Sequence, residues 1–486
     1  MREGPNLSKE AVNESYQMKG GKQKTPIAIG ACPQKNRTAS EGYVGGQTLI
    51  GITENNAFSK DQSEYGMLEH ILSPTNLNKA YHRVRRNKGA GGVDKMEVGS
   101  LKDYLVRNKE VLIDSIVRGK YRPNPVRRVF IPKENGSKRQ LGIPTVVDRV
   151  IQQSIYQLLS PVYEPRFSEY SYGFRPKRNA HDALNKCREY ITEGYSYAVD
   201  MDLEKFFDTV SHSKLIEVLS KTIKDGRVIS LIHKYLNAGV MTEGRAEPSE
   251  QGVPQGGPLS PLLGNIMLNE LDRELEGRGH KFVRYADDMV ILCKSKRSAE
   301  RTMKNIIPFI EGKLFLRVNR EKSKATHVRG VKFLGYTFYV YRGEGRLRIH
   351  PKSVQKMKAK IKKLTSRSNG WGNERRKEAL RQYIRGWVQY FKWADMKNLL
   401  LRIDMWYRRR LRMVIWKQWK RIRTKGANLI KLGIPKSKAW EWANTRKGYW
   451  HTANSFILSR SITTDRLSKA GYIFLSDYYR LVRVSY

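Results

Sequence analysis

The stretch FVRYADDMVIL, Phe282–Leu292, sets two adjacent aspartates, Asp287 and Asp288, in the middle of an apolar run. Ala-Asp-Asp has the composition of a polar hairpin turn, because aspartate bonds its own backbone there and tolerates unusual dihedrals. The arms, Phe282–Tyr285 and Met289–Leu292, are apolar enough to be buried, and a carboxylate pair held among buried strands needs positive charge nearby. A divalent metal would supply it. Turn and metal site are therefore the two readings of this stretch, and a metal site demands a third carboxylate from another strand.

YAVDMDLEKFFDTV, Tyr197–Val210, offers one. On an extended strand Asp200 and Asp202 point to one face, while Val199, Met201 and Leu203 point to the other. Both aspartates are candidates for a shared polar cleft, and strand geometry does not choose between them. As a plainer alternative, they are solvated positions on an edge strand.

Composition narrows the partner. The 486 residues suggest two to four domains and ample core. Lysine and arginine number 92 against 46 acids, a net charge of +46, and 39% of residues are hydrophobic. Such a field on a chain rich enough in apolar residues to fold points to a nucleic-acid binder, not a disordered basic tail. Cys32, Cys187 and Cys293 form no CxxC pair, which argues against a zinc module or disulfide scaffold. No run of about 18 apolar residues occurs, and the first residues lack the apolar core of a signal peptide, so no membrane is expected and a bacterial cytosol is the simplest location.

Residues 1–63, rich in Gly, Ser, Asn, Gln and Lys, read as a flexible extension. From Met67 a helix is expected, carrying Leu68, Ile71, Leu72, Leu77, Tyr81 and Val84 and stopping at the glycine-rich NKGAGGVD, Asn87–Asp94. VRRVFIPK, ENGS and KRQLGIP predict a β-hairpin across Asn135-Gly136. Helical periods follow over Asp148–Leu159, over His181–Ile191 and through Ile266, Leu268 and Leu271. VKFLGYTFYVY, Val331–Tyr341, reads as strand. From about residue 346 the chain turns helical and basic: Arg346 through Gly426 holds 26 lysines and arginines against four acids, a surplus of 22 and nearly half of the total. Leu380, Ile384, Trp387 and Phe391, and again Ile403, Tyr407, Leu411 and Val414, repeat at helical spacing as core faces. Arg408, Arg409 and Arg410 are expected to face elsewhere, as phosphate contacts.

The ordered blocks Asp202-x-x-x-x-Phe207, PQGGPLSP (Pro254–Pro261), YADD (Tyr285–Asp288), NREKSK (Asn319–Lys324) and KFLGYTF (Lys332–Phe338) closely resemble reverse transcriptases, and more narrowly the proteins encoded by bacterial group II introns. NKGAGGVD, RPNPVRRVFIPK, RQLGIPTVVDRVIQQ and YSYGFRPKRNAHDAL fit the same family; RGWVQYF and YRRRLRMVIWKQWKR resemble its thumb, or maturase, region. The resemblance runs from about residue 64 to the end. It implies an α+β right-hand polymerase with fingers and palm over 64–345, a basic helical thumb over 346–425 and a small DNA-binding-like domain over 426–486.

It further implies that Asp202 and Asp287 bind two Mg²⁺ ions with Asp288 close by, which resolves the choice against Asp200. Such a pair of hard cations, held by carboxylates, serves in-line phosphoryl transfer to a primer. In the same pattern Lys133 and Arg139 hold the incoming deoxynucleoside triphosphate and Phe207 lies beneath its sugar, while Phe206 packs in the core. Gln255 and Gly256 touch the nascent base pair, and Lys322, with Lys324 as a neighbour, protonates pyrophosphate. Phe333, Leu334 and Gly335 grip the primer. The implied partners are the intron RNA, an RNA template with a DNA or RNA primer, target DNA and deoxynucleoside triphosphates, in the service of splicing and of copying the intron into new DNA. A C-terminal nuclease module with paired cysteines and histidines, which some members append, is expected to be missing. Trp440, Trp442 and Trp450 read as packing residues first and base-stacking residues second. A domesticated relative acting in repair or antiviral defence, and a splicing chaperone with a vestigial polymerase, are the alternatives; the intact aspartates speak against the second.

Overall fold

The computed structural model describes residues 66–132, 136, 138–242 and 244–483. The extension over 1–63 and Lys133 lie outside the described residues. Among the described residues ten strands form: β1 (Val126–Pro132), β2 (Lys138–Ile143), β3 (Tyr197–Met201), β4 (Val240–Thr242), β5 (Arg245–Glu247), β6 (Lys281–Tyr285), β7 (Asp288–Cys293), β8 (Lys324–His327), β9 (Tyr336–Tyr341) and β10 (Glu344–Ile349). They make three sheets, ordered β2-β1-β4-β5, β6-β7-β3-β8 and β10-β9. The predicted hairpin is β1–β2, with Pro132 opposite Lys138.

The sheet β6-β7-β3-β8 is antiparallel throughout and positions everything else. Alternation along its strands gives this sheet a separate core on each face. Val199, Met201, Phe282, Met289 and Ile291 face one core, built with helices Val146–Tyr163, His212–Ser220, Gly226–Leu236, Ser260–Gly277 and Lys296–Gly312. Ala198, Val283, Val290 and Leu292 face the other. There the sheet meets helix Ala180–Thr192, the hairpin β9–β10 and the basic helices Pro351–Leu364, Asn373–Phe391 and Lys397–Gln418. The expected core faces are there: Leu380, Ile384, Phe391, Ile403, Tyr407, Leu411 and Val414 are buried, and Trp387 packs against them half-buried.

Four expectations change. The helix from Met67 is two helices, Met67–Leu72 and Pro74–Asn87, because Pro74 cannot continue the first and Ser73 caps the second. Val331–Tyr341 is not one strand; the chain reverses at Leu334 and Gly335, whose φ angles of +50° and +84° make a two-residue turn between Phe333 and Tyr336. Helical structure begins at Pro351, since β10 runs through residue 346. Residues 426–483 do not form a core of their own. Leu429, Trp442, Leu458, Phe474 and Tyr479 join the core of the preceding basic helices, and Asp404 accepts the backbone N–H groups of Leu475 (3.0 Å) and Ser476 (2.8 Å). No helix among the described residues is long and apolar enough to cross a membrane.

Candidate active site

Asp287 and Asp288 close the hairpin β6–β7. Tyr285 pairs with Asp288, leaving Ala286 and Asp287 as the two-residue turn, with Ala286 in the left-handed region at φ +58°. Turn and carboxylate cluster are thus one object. In the β3–β7 ladder Asp200 pairs with Val290 and Met201 with Met289, where the ladder ends, so that Asp202 and Asp288 follow at the same end of the sheet and each carboxylate feels the others. Cross-strand partners share a face, so Asp200, Asp202 and Asp288 crowd one end of the sheet beside Asp287.

The electrostatics bear the mark of that crowding. Desolvation by the protein around its carboxyl, reinforced by the charges of Asp287, Asp200 and Asp202, pushes Asp288 up to about 7. Burial raises Asp200 to about 6; Asp202 adds to the shift and Lys324 opposes it. The Lys322 ammonium lies 3.2 Å from Asp202 Oδ2, and the Ser323 hydroxyl accepts the Asp202 N–H at 3.1 Å. Among the described residues no three His, Cys, Asp or Glu side chains are gathered into a ready ligand group. What this end of the sheet holds is hard oxygen donors whose negative charge Lys322 and Lys324 only partly offset, a donor set that suits a hard divalent cation.

The nucleotide-side candidates meet on one loop. Arg139 Nε donates to Gln255 Oε1 at 2.9 Å, and Gly142 N–H donates to the Gln255 carbonyl at 2.8 Å. Gly256 sits at φ +130°, and a Cβ there would stand 2.3 Å from the Gly142 carbonyl oxygen. Its bare backbone is already required by the approach of β2. Val253 N–H donates to the Phe207 carbonyl at 2.6 Å. Phe207 is half-buried and edge-on to the buried Phe206, 5.0 Å between ring centroids; Gly264 leaves room for both rings.

In the turn Phe333–Tyr336, Phe333 is buried, the Leu334 carbonyl accepts from Tyr390 Oη at 2.8 Å, and the Gly335 carbonyl accepts from Ser353 Oγ at 2.8 Å. Helices Asn373–Phe391 and Pro351–Leu364 thereby hold the proposed primer-gripping turn from behind.

The arginine run departs from expectation. Arg408, Arg409 and Arg410 do not face away from the packing; all three are half-buried. Arg409 lies over the Trp450 ring at 3.8 Å and donates to the Trp450 carbonyl from Nε (3.2 Å) and Nη2 (3.0 Å). Arg410 donates to Thr365 Oγ1 (3.0 Å) and to the carbonyls of Lys362 (3.0 Å) and Thr365 (2.8 Å), closing the end of helix Pro351–Leu364. Arg408 rests over Phe474 at 5.8 Å. Trp442 is buried, whereas Trp440 and Trp450 are each 37% exposed.

Residues 131–338, which hold the aspartates and the loop at Gln255, match the family described as reverse transcriptase (RNA-dependent DNA polymerase). Residues 354–433 match the group II intron, maturase-specific domain. The protein YkfC of Escherichia coli is 35% identical over 311 residues, 56% of this chain and 82% of its own. The chain belongs to the group II intron reverse transcriptases. It carries both the RNA-directed DNA polymerase and the maturase region that mark them.

The group II intron-encoded protein LtrA of Lactococcus lactis is 30% identical over 386 residues, 65% of this chain and 62% of LtrA, so the match spans less than two thirds of that relative. A chain of a Cas6-RT-Cas1–Cas2 complex aligns at 22% identity with a TM-score of 0.34, over 51% of this chain and 43% of that one. Reverse transcriptases of this kind depend on divalent metal, in keeping with the donor set.

Sequence reading missed Arg284. It is fully buried, paired with the equally buried Asp272, and bonded to the Ala286 carbonyl in the aspartate turn. An arginine inside an apolar strand next to the YADD block was the available signal, since buried charge demands a partner.

Proposed function

We propose that the chain adds deoxynucleotides to a primer annealed on RNA at the carboxylate end of β3 and β7, and that its basic helices bind intron RNA to assist splicing. In this reading the three sheets over 126–349 with their helices are fingers and palm, and the helices from Pro351 are the thumb. Asp202 and Asp287 hold two Mg²⁺ ions, with Asp288 beside them. When bound, these ions lower the pKa of the primer hydroxyl and neutralise charge on the leaving pyrophosphate.

The side chains do the rest. Arg139 and Gln255, already bonded to each other, steer the triphosphate and base against the loop. Lys133 adds a second phosphate contact. Phe207 closes the floor under the sugar, where a 2′-hydroxyl would collide. Lys322 is near enough to Asp202 to hand a proton to pyrophosphate, and Phe333, Leu334 and Gly335 seat the primer end. The same enzyme then copies the intron into a target DNA. A cytosolic bacterial setting suits these partners.

The observation that carries this reading is the β3–β7 register, which ends with Met201 opposite Met289 and so leads Asp202 and Asp288 out of the same end of the sheet, beside the Asp287 turn. The experiment is primer extension on an RNA template with Asp287→Asn. Synthesis should fall by at least about a thousandfold, several kcal/mol of lost charge stabilisation, while affinity for intron RNA stays near wild type. A variant that extends primers at the normal rate would refute the assignment.

A further inference from the structure

Beneath the aspartate turn lies a buried polar network that no catalytic role has yet absorbed. Arg284 and Asp272 are both 0% exposed. Arg284 Nε donates to Asp272 Oδ1 (2.8 Å) and Nη2 to Oδ2 (2.5 Å). Its remaining arm, Nη1, donates to Asn265 Oδ1 (2.9 Å) and to the Ala286 carbonyl (3.0 Å). Asn265 in turn donates from Nδ2 to the Gly173 carbonyl at 2.8 Å. Gly173 presses on the same turn: a Cβ there would stand 2.3 Å from the Ala286 nitrogen. The turn is therefore gripped from two sides, by a guanidinium on its carbonyl and by a backbone against its amide.

Stability alone is a poor reason for such a network, because well-packed apolar residues often replace a buried ion pair at no loss. Geometry is a better one. The Ala286 carbonyl belongs to the peptide that leads directly into Asp287, so fixing that oxygen fixes the plane from which the Asp287 side chain departs. Ala286 also occupies a left-handed conformation that alanine rarely adopts, and surrounding bonds must hold it there.

We propose that Arg284 and Asn265 are positioning residues for Asp287: oriented by Asp272, the guanidinium fork and the Asn265 amide lock the Ala286–Asp287 peptide so that the carboxylate is pre-aimed at its cation. The proposal rests on the reading of Asp287 as a metal ligand. Outer partners that orient metal ligands typically matter 10- to 100-fold in affinity or activity.

Two variants test it. Arg284→Lys leaves Asp272 a cation, but one ammonium cannot reproduce the planar fork that spans Asp272, Asn265 and Ala286. Asn265→Ala leaves the Arg284–Asp272 pair and the Arg284–Ala286 bond in place and removes the amide that orients the Nη1 arm and holds the Gly173 backbone against the turn. For each, kcat of primer extension should fall about 10- to 100-fold with KM for the nucleotide within about twofold. Mn²⁺ affinity, read from the electron paramagnetic resonance of the resting protein without nucleic acid or nucleotide, should weaken by about tenfold or more. A lowered melting temperature with unchanged kcat and Mn²⁺ affinity would reduce the network to structural support and overturn the proposal. If Arg284→Lys fails to fold, Asn265→Ala decides. Asp287→Asn, run alongside, separates the two claims. Normal synthesis by that variant would remove the underlying assignment, whereas an inactive Asp287→Asn beside a normal Asn265→Ala would remove only the positioning role.

Discussion

The carboxylate end of the central sheet and the arginine run of helix Lys397–Gln418 are both charge clusters that stand out in the sequence, and the fold treats them in opposite ways. At the sheet end desolvation, reinforced by neighbouring carboxylates, pushes Asp288 up to about 7 and Asp200 to about 6. On the helix the charges are absorbed: Arg409 and Arg410 spend their donors on carbonyls, a hydroxyl and an indole ring of the same chain. Charge that a fold crowds and only partly compensates marks chemistry that something else must complete. Charge already compensated marks architecture.

The difference can be broken by mutation, beginning with the largest effect. Asp202→Asn should lower DNA synthesis by at least about a thousandfold, because a metal-held charge is worth several kcal/mol. Its melting temperature should hardly move, since the exposed contact with Lys322 contributes at most about 1 kcal/mol. Asp200→Asn should cost less in synthesis than Asp202→Asn. Equal losses, measured by primer extension, would mean that the family pattern chooses wrongly between the two.

Next comes the RNA surface. With Arg409 and Arg410 engaged internally, the outer face of helix Pro351–Leu364 is the better polyanion contact: Lys358, Lys360 and Lys363 are exposed, while Met357, Ile361 and Leu364 are buried. Replacing the three lysines by alanine should reduce the slope of log affinity for structured RNA against log salt by about two to three units, at up to about 0.9 for each phosphate no longer neutralised. An unchanged slope would place the RNA elsewhere.

These two regions also show what a sequence can reveal. Strand alternation puts Asp200 and Asp202 on one face from spacing alone, and a two-residue turn brings Asp287 next to Asp288 with no long-range information. The two-core division follows from the same alternation, Val199 and Met201 to one side and Ala198 to the other. Side-chain reach is not legible in this way. An arginine extends far beyond its Cβ, so helical phase gives where Arg410 starts but not that it ends on Thr365, 45 residues earlier. Gly256 reads as a contact to the nascent base pair, and nothing local tells that a Cβ there would also meet Gly142, a partner set by the fold. Arg284 is hidden for the same reason: its meaning lies in Asp272 and Asn265, on a helix that crosses beneath the sheet.

The smallest effects test whether the arginine run is architecture in full. Arg410→Ala removes three hydrogen bonds at the end of helix Pro351–Leu364 and should destabilise the protein by about 1–3 kcal/mol, because the Lys362 and Thr365 carbonyls lose their donor and the Thr365 hydroxyl keeps only its bond to the Ile361 carbonyl. Arg409→Ala is milder. Its guanidinium stacks on a ring that is 37% exposed and bonds a carbonyl that water can reach, so the loss should be about 0.5–1 kcal/mol. Arg409→Lys keeps the charge but not the planar stacking or the two-pronged bond, and should therefore resemble the alanine variant in denaturant melts. In RNA binding the expectation reverses: if Arg409 acts only within the protein, neither variant changes the salt slope. A slope reduced by about one unit in Arg409→Ala and restored in Arg409→Lys would show instead that its charge reaches a phosphate, and the line drawn between the two regions would have to move.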